Sequence, residues 1–261
     1  MGRRILFFDV DGTIVTREHV IPESARQALA AAKRAGHVLL VNTGRPYLHV
    51  EPQIKALPMS GFLCALGGHI LLEGEEVFHS SFSPEESRRV RDLGYECGLD
   101  MLFESEKGVW FDARCRNPYG EKEFRWLTGI GVPGCRDTAR PEFVFDKFVC
   151  WPREGGDPGR FTRTLEDRLT FIPRENGMLE AVRRGLSKAG AMSLVTERLG
   201  AKPEDTFAFG DGANDLPMLR AAGTSVLLGN APRELWPEAD YVSAPIEEDG
   251  LARALEHFGL I

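Results

Sequence analysis

The sequence predicts an α/β protein: a doubly wound, Rossmann-like parallel-sheet core at residues 1–82 and 187–261, with an inserted α+β cap at 83–186. Three observations carry that expectation. Short apolar runs alternate with amphipathic stretches over the first eighty or so residues, the texture then shifts to short, closely spaced strands, and the alternation resumes after Ser187. Strand–helix–strand alternation marks a parallel sheet, because each parallel pair needs a crossover, usually a helix.

Ile5-Leu6-Phe7-Phe8 is uninterrupted and apolar, as a central strand buried on both faces must be. Pro22 opens a helix that places Ala25, Ala28, Leu29 and Ala32 on one face, and Gly36 stops it. Val38-Leu39-Leu40-Val41 is a second buried strand, followed by Asn42-Thr43-Gly44-Arg45 and a further helical stretch. Phe62-Leu63-Cys64-Ala65-Leu66 is a third. His69 to Leu72, the turn Glu73-Gly74-Glu75 and Val77-Phe78 form a hairpin pattern. Ser83-Pro84-Glu85-Glu86 combines an N-cap, a first-turn proline and a glutamate spaced for a capping box. In the cap, strands at 101–104, 109–111, 145–151 and 169–172 alternate with two or three helices. From Ser187 a helix runs to about Leu199; then come a strand at 206–209, Gly210-Asp211-Gly212, and a helix through Met218-Leu219. Strands at 225–228 and around Tyr241-Val242 and a last helix complete the pattern.

The 261 residues, 43% hydrophobic, suffice for a sizeable core. A net charge of -7 argues against a nucleic-acid or anionic-membrane partner. It leaves room for a small phosphate substrate, since a metal and one or two cations dominate the local field. No run approaches the roughly 18 apolar residues of a membrane span, and the apolar run before Asp9 is too short for a secretory segment. Cys64, Cys97, Cys115, Cys135 and Cys150 show no CxxC pairing, so reduced thiols in a cytoplasmic protein are expected.

Chemistry concentrates at strand ends. Asp9-Val10-Asp11-Gly12-Thr13 follows the first strand, where ligands collect in open α/β sheets. Two carboxylates there can divide into a nucleophile that also holds metal and a general acid/base, if their environments separate their pKa values. Thr43-Gly44-Arg45 follows the second strand; a hydroxyl and backbone N–H groups there can cradle phosphoryl oxygens. Lys188 stands at a helix start behind Ser187, where a cation opposes the helix dipole unless an anion sits nearby. Gly210-Asp211-Gly212-Ala213-Asn214-Asp215 gathers hard oxygen ligands at another strand end, a set suited to Mg²⁺. Two acidic strand ends in one sheet need a cation to offset their repulsion.

In this order, DVDGT, TGR, LSKAGAM and GDGAND-L-PML resemble the four motifs of the haloacid dehalogenase-like (HAD) phosphohydrolase superfamily. Leu228-Gly229-Asn230-Ala231, Ala239-Asp240-Tyr241-Val242 and Glu248-Asp249-Gly250 are similar to its Cof-type sugar-phosphatase branch. The resemblance implies a Mg²⁺-dependent phosphatase for a small phosphorylated metabolite, in the first place a sugar phosphate. It casts Asp9 as the nucleophile and Asp11 as the acid that protonates the leaving oxygen and then activates water. It places Thr43, Gly44, Arg45 and Lys188 on the substrate phosphate. Mg²⁺ would sit on the Asp9 carboxylate, the Asp11 carbonyl and Asp211, supported by Asn214 and Asp215. The family often has Asn-Gly where this chain has Gly67-Gly68. A phosphotransferase or mutase would share the Asp9 chemistry; a phospho-ligand sensor would have no need of a nucleophile beside a second acid.

Gly129-Ile130-Gly131-Val132-Pro133-Gly134 matches GxGxxG but follows a helical pattern and contains Pro133, so a plain loop is expected. Trp110, Trp126 and Trp151 are expected in the cap's core. Arg114 and Arg116 could meet substrate or solvent.

Overall fold

The computed structural model describes residues 2–261. In chain order the strands are β1 (Ile5–Phe8), β2 (Val38–Asn42), β3 (Gly61–Cys64), β4 (His69–Leu72), β5 (Glu75–His79), β6 (Leu99–Ser105) and β7 (Gly108–Phe111). They continue as β8 (Gly134–Cys135), β9 (Lys147–Pro152), β10 (Leu169–Pro173), β11 (Leu179–Arg183), β12 (Thr206–Gly210), β13 (Thr224–Leu227) and β14 (Tyr241–Val242). The helices are α1 (Glu23–Arg34), α2 (Pro52–Lys55), α3 (Pro84–Glu96), α4 (Pro118–Gly129), α5 (Pro158–Leu165), α6 (Lys188–Arg198), α7 (Leu216–Ala221) and α8 (Gly250–His257).

Two units pack separately: Met1–Gly44, Pro52–Phe78 and Ser187–Ile261 form one, and Arg45–Glu51 with His79–Leu186 the other. The sheet of the first unit has the order β14-β13-β12-β1-β2-β3-β4-β5. Its pairs from β14 to β3 are parallel, and β3–β4 is antiparallel. From β1 the chain winds outward through β2 and β3, and it later returns to β1's other side through β12. That reversal is a topological switch point, which opens a crevice at the carboxyl ends of β1 and β12. Phe8 and Phe209 stack beneath it with centroids 4.7 Å apart. Helix α1 buries Ala25, Ala28, Leu29 and Ala32, the face expected from the sequence.

The second unit has a six-stranded sheet, β10-β11-β9-β6-β7-β8, antiparallel except for β7–β8. One face carries Met101, Phe103, Phe148 and Cys150 in a cluster with Val90 of α3 and Phe161 of α5. The other carries Leu102, Phe111, Val149 and Trp151 with Phe124 and Leu127 of α4. Trp110 and Trp151 are core residues, as expected, and Trp126 is half-buried. Arg114 pairs with Asp112 at 2.9 Å and lies over the Tyr95 ring. Ser83 and Glu86 form the anticipated capping box, with bonds of 3.2 and 3.0 Å.

Two local expectations change. The helical stretch after Arg45 shrinks to a 3₁₀ turn, Tyr47–His49, and the four-residue α2. Pro46 and Pro52 explain this, since each removes an N–H donor and disfavours helix in the residue before it. Strand β11 was hidden in the sequence because Glu180 interrupts its apolar pattern. Among the described residues, no helix is long and apolar enough to cross a membrane.

Candidate active site

Asp9 lies one residue beyond β1, 5% exposed, its N–H donating to the Phe209 carbonyl at 2.9 Å. That bond continues the β1–β12 ladder past the strand and so brings Asp9 alongside the end of β12. Gly12 turns the chain away with φ +79°. A Cβ there would lie 2.0 Å from Asp211 Oδ2, so only glycine lets the DVDGT and GDGAND loops come so close.

Lys188 is the first residue of α6, whose N-cap Ser187 accepts from the Gly190 N–H at 3.0 Å. Its ammonium is 2.5 Å from Asp9 Oδ1 and 2.6 Å from Asp215 Oδ1, and the side chain is 1% exposed. The two anions that excuse a lysine at a helix N-terminus are thus both present. Asp215 is fully buried; its second oxygen accepts the Asp211 and Gly212 N–H groups, each at 3.1 Å. It therefore orients Lys188 and shapes the turn that presents Asp211.

Burial, aided by Asp215, pushes the Asp9 carboxyl up to about 8, although Lys188 pulls it down. Asp211 rises to about 7, again chiefly from burial and then Asp215. Lys188 is raised, because its two carboxylate partners outweigh its own burial. Oxygens of Asp9, Asp211 and Asp215 lie within 4.8 Å of one another. An all-oxygen donor set whose carboxyls cling to protons is short of positive charge, which a hard divalent cation would supply. The residues present therefore fit Mg²⁺. Asp215, already engaged with Lys188 and two N–H groups, is better placed to support than to ligate.

Asp11 is exposed and Asn214 half-buried. Thr43 is buried at the end of β2, its backbone bonded to Leu63 and Leu66 at 2.8 and 3.2 Å. Leu66 and Ala65 hold positive φ, 55° and 50°. Such backbone conformations are costly for residues with a Cβ and persist only where the surroundings enforce them. Gly44 is half-buried beside Thr43, whereas Arg45 belongs to the second unit, where it faces Glu51 at 3.5 Å and lies over Trp126. Gly67 has φ +89°, and a Cβ on it would fall 2.8 Å from the Ser187 carbonyl, so an asparagine would need the α6 N-terminus to shift.

Two residues joined to this site were named in the sequence only within longer runs, without a role of their own. Asn230 donates to the Gly12 carbonyl at 2.9 Å and to Asp211 Oδ2 at 3.0 Å, and accepts from the Ile246 N–H at 3.0 Å. Asn42 donates to the Lys188 carbonyl at 3.0 Å. The signal for Asn42 was available: an amide ends an otherwise apolar buried strand, and buried amides need partners.

The family model described as haloacid dehalogenase-like hydrolase matches residues 6–255. The chain belongs to the haloacid dehalogenase-like hydrolases. This HAD chain is 26% identical over 262 residues to the 5-amino-6-(5-phospho-D-ribitylamino)uracil phosphatase YcsE of Bacillus subtilis, covering 98% of this chain and 96% of the relative. It is 26% identical over 261 residues to the HMP-PP phosphatase of Klebsiella pneumoniae, covering 98% and 94%. Among solved structures, the HAD subclass IIB sugar phosphatase BT4131 superposes with a TM-score of 0.82 at 27% identity, covering 99% of this chain and all of that one. A protein of Geobacillus kaustophilus superposes with a TM-score of 0.86 at 26% identity, with both chains fully covered. The family and fold class expected from the four motifs agree with these likenesses, as does the enzyme class.

Proposed function

We propose that the chain is a magnesium-dependent phosphatase that hydrolyses a small phosphorylated metabolite, in the first place a sugar phosphate, through an aspartyl-phosphate on Asp9. One observation carries the reading: a buried carboxylate, Asp9, is clamped by Lys188 at 2.5 Å beside a second acidic strand end bearing Asp211. Phosphatases with related sequences, YcsE and the HMP-PP phosphatase, support the substrate class of small phosphate esters.

In this reading Asp9 attacks phosphorus and the ester oxygen departs with a proton from Asp11. Asp11, exposed where Asp9 is buried, can exchange that proton with solvent. As a carboxylate it then takes a proton from the water that cleaves the aspartyl-phosphate, which returns Asp9 and releases inorganic phosphate. Lys188 and the Thr43 hydroxyl hold phosphoryl oxygens, and Gly44 lets backbone N–H groups approach them. The Asp9 carboxylate, the Asp11 carbonyl and Asp211 would hold Mg²⁺, with Asn214 and Asp215 in support. Bound there, the ion keeps Asp9 ionised and neutralises charge on the transferring group. Asn230 keeps Asp211 against the Gly12 loop. The second unit acts as the cap that selects substrate.

The test is phosphate release from a panel of sugar and cofactor phosphates with and without Mg²⁺. Metal-dependent release on at least one member is expected. Release that ignores both Mg²⁺ and EDTA would rule the reading out.

A further inference from the structure

Strand β2 is apolar up to its last residue. Val38, Leu39, Leu40 and Val41 are buried, and Asn42 follows them with no exposure at all. A primary amide carries two N–H donors and an acceptor oxygen, and burying it is costly unless these find partners. Asn42 finds them only in part. Its Nδ2 donates to the Lys188 carbonyl at 3.0 Å and lies 3.2 Å from Met218 Sδ, a weak acceptor. Its Oδ1 is buried and has no hydrogen-bond partner among the described residues.

Fold stability accounts poorly for this amide. Lys188 is the first residue of α6, so its carbonyl already takes the helix's own bond from the N–H four residues on. That carbonyl needs no second donor, and an apolar residue at position 42 would leave nothing unsatisfied. What the amide does is tie three pieces of the first unit together. Asn42 ends β2, Lys188 opens α6, and Met218 belongs to α7, which begins directly after Asp215. The Lys188 ammonium bridges Asp9 and Asp215, and its whole side chain is 1% exposed. A lysine stem enclosed in this way is aimed by its backbone. A second contact fixes the same helical turn, since a Cβ on Gly67 would fall 2.8 Å from the Ser187 carbonyl.

We propose that Asn42 is a positioning residue for phosphoryl transfer: by holding the Lys188 carbonyl, it sets where the Lys188 ammonium meets Asp9 and the substrate phosphate. Asn42 acts through Lys188 and does not itself reach the reacting atoms. A misplacement of about 1 Å can cost about a hundredfold in rate, and loss of one tether, partly relaxed, should cost roughly tenfold. The proposal rests on the phosphatase reading for the reaction, and every contact it uses lies within the first unit.

The experiment is a double-mutant cycle between Asn42→Leu and Lys188→Met, read in two ways. One is kcat for phosphate release from the best ester of the panel with saturating Mg²⁺; the other is melting temperature in EDTA. Leucine keeps the branch point and the number of heavy atoms of asparagine. Asn42→Thr, close in volume to asparagine but with a hydroxyl one bond short of Nδ2, repeats the cycle should the leucine variant fold poorly. Asn42→Leu alone should lower kcat roughly tenfold while melting close to the wild type. With Lys188→Met already in place, it should change kcat less than twofold, because the group it positions is gone. Likewise, Lys188→Met should lower the melting temperature less in the Asn42→Leu protein than in the wild type. A merely structural bond predicts neither coupling, since Lys188→Met leaves the carbonyl that Asn42 holds. The inference is overturned if Asn42→Leu leaves kcat within twofold of the wild type, or if it lowers kcat equally with and without Lys188→Met. Should the wild type release no phosphate from any ester, the phosphatase reading has failed and the melting cycle decides alone. Coupling there upholds Asn42 as the residue that places Lys188, and additivity overturns it.

Discussion

Replacing Lys188 with methionine removes one cation from between two carboxylates, each at most 7% exposed, and breaks charge-assisted bonds of 2.5 and 2.6 Å. Deleting one partner of a buried ion pair costs about 3–5 kcal/mol, because the remaining charge is stranded. Protonation offsets part of that cost. Asp9 is already pushed up to about 8, and without Lys188 it rises further, so the metal-free variant escapes like-charge repulsion by holding a proton. An acid whose folded-state pKa is raised is most compatible with the fold at low pH. The variant's deficit should therefore be small near pH 5 and grow toward pH 8, where we expect about 3 kcal/mol in EDTA. Mg²⁺ should recover much of the loss, because it supplies countercharge to Asp9 and Asp211. Turnover should fall by roughly 10²–10³ even with Mg²⁺ saturating, as when a donor to a developing oxyanion is removed. Urea unfolding at pH 5 and pH 8, with EDTA or Mg²⁺, reads the first effect and phosphate release the second. A variant as stable as the wild type in EDTA at pH 8, or one with turnover within a few-fold, would refute the reasoning.

Gly12→Ala forces a Cβ to within 2.0 Å of Asp211 Oδ2 at a backbone angle that alanine resists. It should weaken Mg²⁺ binding at least tenfold by calorimetry, and unchanged affinity would show that the loops separate without consequence. Asn230→Ala leaves the Gly12 carbonyl and Asp211 without their amide, so turnover should drop about tenfold, one lost hydrogen bond to a charged group, with Tm nearly kept. A large loss of Tm with normal kcat would assign Asn230 to folding instead. In the second unit, burial alone would raise the Glu180 carboxyl, but Lys147 and Arg174 outweigh it and hold it at about 2. Its folded pKa is thus depressed, so its contribution, on the order of 3 kcal/mol, is fully present above about pH 4.5 and is lost as pH falls toward 2. Glu180→Gln should flatten that limb of the stability–pH curve; an identical acid limb would contradict the assignment.

The strand ends were legible because their signals are local. A buried apolar run followed at once by DVDGT, or by GDGAND, states both the strand and its chemistry within ten residues. What brings those pieces together is not local. Lys188 reaches Asp9 across 179 positions and Asn230 reaches Gly12 across 218, distances over which one sequence carries no pairing information. Lys188 was weak evidence by itself and decisive beside Asp9 and Asp215. Strand β11 shows the opposite failure, where a polar residue in a buried position hid an element whose charge is matched by Lys147 on β9. The buried ion-paired cluster of the second unit was hidden for the same reason, since Glu104, Lys147 and Glu180 look like ordinary surface charges until their strands are set side by side.

The most direct test of the central claim is phosphate release by wild type and Asp9→Asn, measured with Mg²⁺ on the same panel of phosphate esters. The account predicts metal-dependent release by the wild type and loss of at least 10³-fold in the variant, as expected when the nucleophile of a covalent mechanism is removed. Comparable release by both proteins would contradict it, because the phosphoryl group could then not pass through Asp9.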